Sequence, residues 1–394
     1  MPFMRSAFAD LLEPLDRRVV ARAVRAHQGD HGVGAGDNAW TCERHLKALL
    51  FAQFAGLKSL REIVEALAGQ SASFYHLNLR APCRSTVADA NRARPWAVFR
   101  DIAAALLPVA AGALRRDGEG LIRLLDSSPI ALKDARFQWA EASARIRGLK
   151  LHLLYDPRHR RPVWFDVSSA KVDDVTAGRT VPLERGATYV FDKGYTDYRW
   201  WSEIRAAGAL FVTRRKKNAR CREIEEGAAA GDGILLDRSL KIGHRQARGG
   251  APKNPLWDVR LREIVVARPD KAEPLYLLTN DFARSAAEIA RLYQERWEIE
   301  LLFKWLKQNL KIRRFLGRSE NAVRLQIYVA LIAFMLLRIL HHTAARSLKA
   351  STALLLARLK IALFRPLDLR PAAKPPPRPP SRRQPQPQFT LAFA

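Results

Sequence analysis

Two aspartates in this sequence stand where an acid is expensive. Asp126 closes the apolar run Leu121-Ile122-Arg123-Leu124-Leu125, and Asp192 closes Tyr189-Val190-Phe191. A carboxylate at the end of a buried strand is costly unless it emerges at the sheet edge or meets a cation. Two such residues in a basic chain suggest a hard-metal site built from oxygen ligands. Each alone suits a helix cap or a salt-bridge partner equally well. A third acid comes from Tyr293-Gln294-Glu295-Arg296-Trp297-Glu298-Ile299-Glu300-Leu301-Leu302-Phe303-Lys304-Trp305-Leu306-Lys307. Helical periodicity puts Tyr293, Arg296, Glu300, Lys304 and Lys307 on one side, with Ile299, Leu302, Leu306 and Leu310 facing a core. A solvated ion-pair face accounts for the charges but leaves Tyr293 unexplained. Glu298 is the rival to Glu300. It lies two residues away and points elsewhere on the helix, which favours Glu300.

Those acids need a sheet and a helix to hold them. Strands are expected over 121–126, 150–155, 163–167, 189–191 and 209–213, with a hairpin turn at Asp156-Pro157-Arg158-His159-Arg160. A helix over 200–207 lies between two of them, so antiparallel pairs followed by strand–helix–strand indicate a mixed sheet with helices against it. Residues 215–285 form a β-rich insertion, with turns at Gly227, Gly231, Gly233 and Gly249-Gly250 and strands over 258–267 and 274–279. Helices are expected from Ser285 to about Lys311 and from about Asn321 to His342.

Residues 1–115 are helical. The apolar stripe 46–52 breaks at Gly56 and restarts after the N-cap Ser59, another capped helix begins at Ser85-Thr86, and a long helix covers 96–114 up to the turn Asp117-Gly118. The first pair suits DNA binding, and it also suits any small bundle. Beyond Arg365 the chain turns to Pro, Arg and Gln, as in Lys374-Pro375-Pro376-Pro377-Arg378-Pro379-Pro380, which cannot build a core and predicts disorder from about 371.

The balance of 67 Lys+Arg against 39 Asp+Glu gives a net charge of +28, which points to a polyanion. Nucleic acid fits, because phosphate contacts release counterions and add affinity without reading sequence. Arg214-Arg215-Lys216-Lys217 and Lys311-Ile312-Arg313-Arg314 suit phosphate tracks or solvated charge. Cys42, Cys83 and Cys221 are widely spaced, so a cytoplasmic protein with reduced, buried thiols is expected, without a disulfide frame or zinc site. No secretion signal opens the chain. The apolar run from Ile327 to Leu337 falls short of the roughly 20 residues a membrane span needs, so a buried helix and no membrane partner are expected. His152 and His341-His342 lack ligand partners at useful spacing and receive no role, and Asp173-Asp174 are loop acids that offer an alternative second ligand.

The helix resembles that of the insertion-sequence transposases, which carry an Asp-Asp-Glu triad on a ribonuclease H-like core. Tyr293, Arg296, Glu300 and Lys307 match their Tyr-x2-Arg-x3-Glu-x6-Lys signature in full, while Asp126-Ser127-Ser128-Pro129-Ile130 and Asp192-Lys193-Gly194-Tyr195 resemble the two aspartate motifs. The resemblance covers residues 120–345. It implies an α+β protein: a ribonuclease H-like mixed sheet with flanking helices, interrupted by the β-rich insertion and preceded by a helical N-terminal domain. The expected division is a helical DNA-binding domain at 1–115, catalytic core at 116–214 and 286–345, insertion at 215–285, and a C-terminal extension at 346–394.

It further implies that Asp126, Asp192 and Glu300 are catalytic and hold two Mg2+ (or Mn2+) ions, roughly 4 Å apart in two-metal sites. Tyr293, Arg296 and Lys307 would grip phosphates, and Trp257 would stack on an extruded base. From residue type alone Trp257 is expected in a core. The implied partners are transposon ends and target DNA, with a homodimer as the active complex. The implied activity is cut-and-paste transposition from terminal inverted repeats. A catalytically decayed repressor of the element, or a metal nuclease on the same core, are the alternatives; the three acids argue against the first, the insertion and basic N-terminal region against the second.

Overall fold

A computed structural model describes residues 6–365 except 71–76, 114–120, 133, 144–145, 229–232, 244–253, 270, 311–314 and 344–350. The Pro/Arg-rich tail, the basic run 311–314 and the turns at 117–118, Gly231 and 249–250 lie outside the described residues. The N-terminal part is helical: α1 (Ala7–Leu12), α2 (Arg17–Ala26), α3 (Cys42–Ala55), α4 (Leu60–Gly69), α5 (Arg84–Ala93) and α6 (Trp96–Ala113). Ser6, Asp16, Thr41 and Ser59 cap four of these by accepting a backbone N–H. Gly56, at φ +75°, ends α3 in the left-handed region that glycine adopts without penalty. The expected cap at Ser85-Thr86 is corrected. Helix α5 starts one residue earlier, and Cys83 stands at the cap position without a side-chain bond, exposed there, so that of the three thiols expected to be buried only Cys42 is.

The strands are β1 (Ile122–Ala131), β2 (Glu141–Ser143), β3 (Ile146–Asp156) and β4 (Arg161–Ser169). After the short helix α7 (Asp174–Gly178) come β5 (Thr188–Phe191), α8 (Tyr198–Ala206) and β6 (Leu210–Arg214). Then follow β7 (Cys221–Ala228), β8 (Ile234–Ile242), β9 (Leu261–Val266) and β10 (Leu275–Thr279). Among the described residues they form one sheet ordered β2-β3-β1-β5-β6-β10-β9-β8-β7, with β4 also on β3. Strands β1, β5 and β6 run parallel, and the rest pair antiparallel. The protein is therefore mixed α+β. The β-rich segment continues the central sheet through β10, which pairs with β6.

The chain closes with α9 (Ala286–Glu295), α10 (Trp297–Asn309), α11 (Glu320–Thr343) and α12 (Thr352–Ala362). Ser285 and Glu288 form a capping box at the start of α9. The single helix expected over 285–311 is corrected to two. At Arg296 the bonding tightens to i→i+3 spans, Arg296 N–H to Tyr293 O at 3.2 Å and Ile299 N–H to Arg296 O at 3.3 Å. One large core joins the N-terminal helices, one sheet face and α9–α12, while Trp200, Trp201, Tyr189, Phe191 and Phe211 build a second core on the other face. Helix α11 runs through the first. Its apolar stretch is longer than the eleven-residue run suggests: α6 and α11 are both long and apolar enough to cross a membrane, and 89% of the apolar window of α11 is buried inside the fold.

Candidate active site

Pairing places the first two acids side by side. The parallel ladder between β1 and β5 ends at Leu125↔Phe191, so Asp126 and Asp192 are the next residues on adjacent strands. That is the carboxyl edge of a parallel pair, where ligands collect in open α/β sheets. Asp126 does not end its strand: β1 continues to Ala131 on β3 alone, and parallel pairing is what stops. Asp192 caps the 3-10 turn Lys193–Tyr195, and its Oδ1 accepts the Gly194 N–H at 2.6 Å. Asp126 Oδ1 accepts the Ser127 N–H at 2.8 Å.

Helix α10 lies against β1 because Ile299, Leu302, Phe303 and Leu306 are buried, which turns Glu300 toward the acids. Arg296 is the bridge. It donates to Asp126 Oδ2 at 3.2 Å and to Glu300 Oε1 at 2.6 Å, with its guanidinium carbon 5.8 Å from the Tyr293 ring centre. Lys307 Nζ donates to Ser128 Oγ at 2.6 Å. Arg296 and Lys307 thus reach β1 at Asp126 and Ser128, with Glu300 and the buried Tyr293 against Arg296. Lys304, expected on the same side, is exposed.

Burial is the largest influence on Asp126. With the charges of Asp192 and Glu300 it outweighs the Ser127 N–H and Arg296 and raises the carboxyl to about 6. Burial also raises the Tyr293 phenol. Arg296 loses hydration by burial, and Tyr293, Asp126 and Glu300 more than restore its charge, so it is raised.

The donor set is all oxygen, which suits Mg2+ or Mn2+. Among the described residues no three His, Cys, Asp or Glu side chains converge closely enough to hold an ion as they stand. A cationic guanidinium bridges two of the three acids instead. Three mutually repelling carboxylates neutralised by a positive charge fit a cation-binding role.

The other candidates fall elsewhere. Glu298 points into a separate groove lined by Tyr155, Arg160, Leu301, Trp305, Phe334 and Arg338. Trp257 is 37% exposed, so the expected core placement is corrected; the loop Asn254–Val259 buries Leu256 in its stead. In the basic track, Arg215 pairs with buried Glu263 and Lys217 with Glu273. Sequence reasoning missed Ser127, Lys150 and Tyr195 and gave Asp174 only a secondary part. Ser127 Oγ and Lys150 Nζ both donate to Asp174 Oδ1, at 2.7 and 3.1 Å. The adjacency of Ser127 to Asp126 was the one available signal.

Residues 117–336 match the family described as Transposase DDE domain, and residues 4–80 match a domain of unknown function, DUF4372. The chain is 43% identical over 311 residues to a putative transposase of Sinorhizobium fredii, covering 78% of this chain and 84% of that protein. It is 26% identical over 233 residues to a probable transposase for insertion sequence element IS5377 of Geobacillus stearothermophilus, covering 58% and 59%. A cryo-EM structure of the piggyBac transposase synaptic complex with hairpin DNA is similar at a TM-score of 0.50 and 10% identity, over 92% of this chain and 80% of that one. That likeness concerns the fold alone.

Proposed function

The chain belongs to the DDE-domain transposases, and from that premise we propose that it excises and inserts an insertion sequence by a cut-and-paste route using Asp126, Asp192 and Glu300. The observation that carries this reading is that Asp126 and Asp192 directly follow the last pairing of the parallel β1–β5 ladder while Arg296 joins Asp126 to Glu300. The core strands β4-β3-β1-β5-β6 are read as ribonuclease H-like, with β7–β10, within 215–285, as the insertion and the helices before β1 as the domain that binds terminal inverted repeats. The working complex is a homodimer on two ends, acting on DNA in the cytoplasm.

Asp126, Asp192 and Glu300 would hold two Mg2+ or Mn2+ ions. When bound, these supply Lewis acidity that activates a water or DNA 3′-hydroxyl and stabilises the leaving oxygen. The chain's own groups position and neutralise. Ser127 and Gly194 N–H groups fix the two aspartates in rotation. Arg296 stands ready to exchange its carboxylate partners for a phosphate, which its planar fork also fits. Lys307, anchored at Ser128, lies two residues along β1 from Asp126, and exposed Trp257 offers a stacking face for a displaced base.

The test uses duplexes taken from the borders of the gene. Asp126→Asn, Asp192→Asn and Glu300→Gln should each abolish Mg2+-dependent cleavage while DNA affinity stays near wild type, since phosphate contacts supply most of it. Continued cleavage by Glu300→Gln, with loss in Glu298→Gln, would move the third ligand to Glu298. Cleavage by all three variants would remove the site.

A further inference from the structure

Asp174 stands outside the triad, on α7, yet it joins two parts of the site that the sequence keeps far apart. Its Oδ1 accepts from Ser127 Oγ at 2.7 Å. Ser127 is the residue whose backbone N–H donates to Asp126. Lys150 Nζ, itself bonded to the Val172 carbonyl, donates to the same Oδ1. On its other side α7 abuts the turn that carries Asp192. A methyl placed on Gly194 would lie 2.7 Å from Asp192 Oδ1 and 3.5 Å from Asp174 Oδ2, so the two carboxylates flank one glycine. A methyl on Gly178 would meet Tyr195 Cδ1 at 3.0 Å. Glycine at 178 and 194 is what permits this approach.

An independent observation marks the same place. Tyr195 is 1% exposed and its hydroxyl makes no well-formed hydrogen bond, Ser127 being the side chain that comes nearest to pairing with it. Burial, then the charges of Asp174 and Asp126, hold its phenol well above the usual range, with Asp192 adding to them. A buried polar group left unpaired costs about 1–3 kcal/mol, a cost that persists at sites where the group has a role.

We propose that Asp174 is a positioning residue of the catalytic site, which ties Asp126 to the Asp192 turn through Ser127 and α7 and sets the spacing of the two acids for divalent ions, with Tyr195 closing the cluster. Its Oδ1 is already engaged by Ser127 and Lys150, and Lys150 offsets its charge. Asp174 thus contributes an anchor without adding net negative charge to three acids that already repel. This rests on the metal-binding reading above. Partners that orient metal ligands typically change affinity by about 10- to 100-fold when removed.

The experiment measures Mn2+ binding to the full chain by electron paramagnetic resonance, with and without a border duplex, alongside cleavage as a function of Mn2+. Asp174→Asn should weaken Mn2+ binding by about 10- to 100-fold, with cleavage recovered at high Mn2+ and DNA affinity unchanged. Ser127→Ala should shift affinity in the same direction, and Tyr195→Phe less. Asp174→Glu, which keeps a charged acceptor where asparagine keeps only a neutral one, should bind Mn2+ more tightly than Asp174→Asn. If Asp174→Asn fails to fold, Ser127→Ala and Asp174→Glu carry the test. Wild-type Mn2+ affinity in the folded variants overturns the proposal. Loss of binding and cleavage at every Mn2+ concentration also overturns it, because Asp174 would then be a ligand. If Asp126→Asn binds Mn2+ as the wild type does, the metal-binding reading itself has failed and takes this inference with it.

Discussion

Asp126→Asn should stabilise the metal-free protein at neutral pH while destroying its activity. The Asp126 carboxyl stands at about 6 in the fold against an ordinary value of 3.8. A shift of about 2 units, at 1.36 kcal/mol each, is about 3 kcal/mol. The sign follows from linkage. The folded protein binds this proton more tightly than the unfolded chain does, so the contribution to stability is full below pH 3.8. It is lost as the pH rises through about 6. Asparagine carries no such dependence. Urea unfolding in chelator, followed by tryptophan fluorescence at several pH values, gives the difference between wild type and variant, in which carboxylates that do not touch this cluster cancel. That difference should move by about 3 kcal/mol in favour of the variant between pH 4 and 7.5. Mn2+ at a hundred times its Kd should then close most of that gap, adding about 2.7 kcal/mol to the wild type and little to the variant. If the wild type instead gains on the variant as pH rises without metal, the Arg296 pair outweighs burial and acid repulsion, and the reasoning fails.

Lys307→Ala should weaken binding to a border duplex and lower the log–log salt slope by about one unit; an unchanged slope would confine Lys307 to its Ser128 bond. Trp257→Ala should leave the melting temperature within a few degrees, its side chain being partly exposed, and should weaken the end complex by about 1–3 kcal/mol through lost base stacking. A large drop in melting temperature with unaltered DNA affinity would return Trp257 to a packing role. Glu298→Ala, facing the groove beside Tyr155 and Arg160, should keep cleavage within a few-fold of wild type; loss comparable to Glu300→Gln would refute the orientation of α10.

The helix signature was legible because its chemistry and its period coincide. Ile299, Leu302 and Leu306 had to face a core, so the direction of Glu300 followed from the spacing. The strand-end aspartates were legible as costs, and β-sheet pairing turned those costs into neighbours. What stayed hidden depends on contacts between distant segments. Nothing local says that Lys150 and Asp174 meet Ser127, since the β1–β3 register and the path of α7 decide it. Helices α1 and α2 were covered only by the general helical reading of 1–115, and α12, β7 and β8 were not placed, because short segments carry a weak signal. Trp257 was misplaced because its large apolar surface argues for burial while its loop holds it outward.

The break between α9 and α10 connects these points. A straight helix through 285–311 would carry Tyr293 and Glu300 along one line, whereas tight turns at Arg296 let one residue serve as the end of α9 and the start of α10. From that joint its side chain spans Asp126 on the sheet and Glu300 on the helix, two acids from segments 174 residues apart in sequence. Their mutual repulsion, which raises Asp126, would push helix and strand apart if nothing positive lay between them. Arg296 therefore does what a divalent ion would do electrostatically, and it does so with a group that prefers phosphate oxygens at least as well as carboxylates. Arrival of metal and of DNA are coupled on this geometry: a cation between the acids frees the guanidinium, and a phosphate that claims the guanidinium leaves the acids in need of a cation. Binding of each should be tighter in the presence of the other, by the same factor in both directions. Mn2+ affinity measured with and without border DNA, and DNA affinity measured with and without Mn2+, should close that cycle. Arg296→Met should flatten it, and a coupling undiminished in that variant would show that the two ligands communicate by another route.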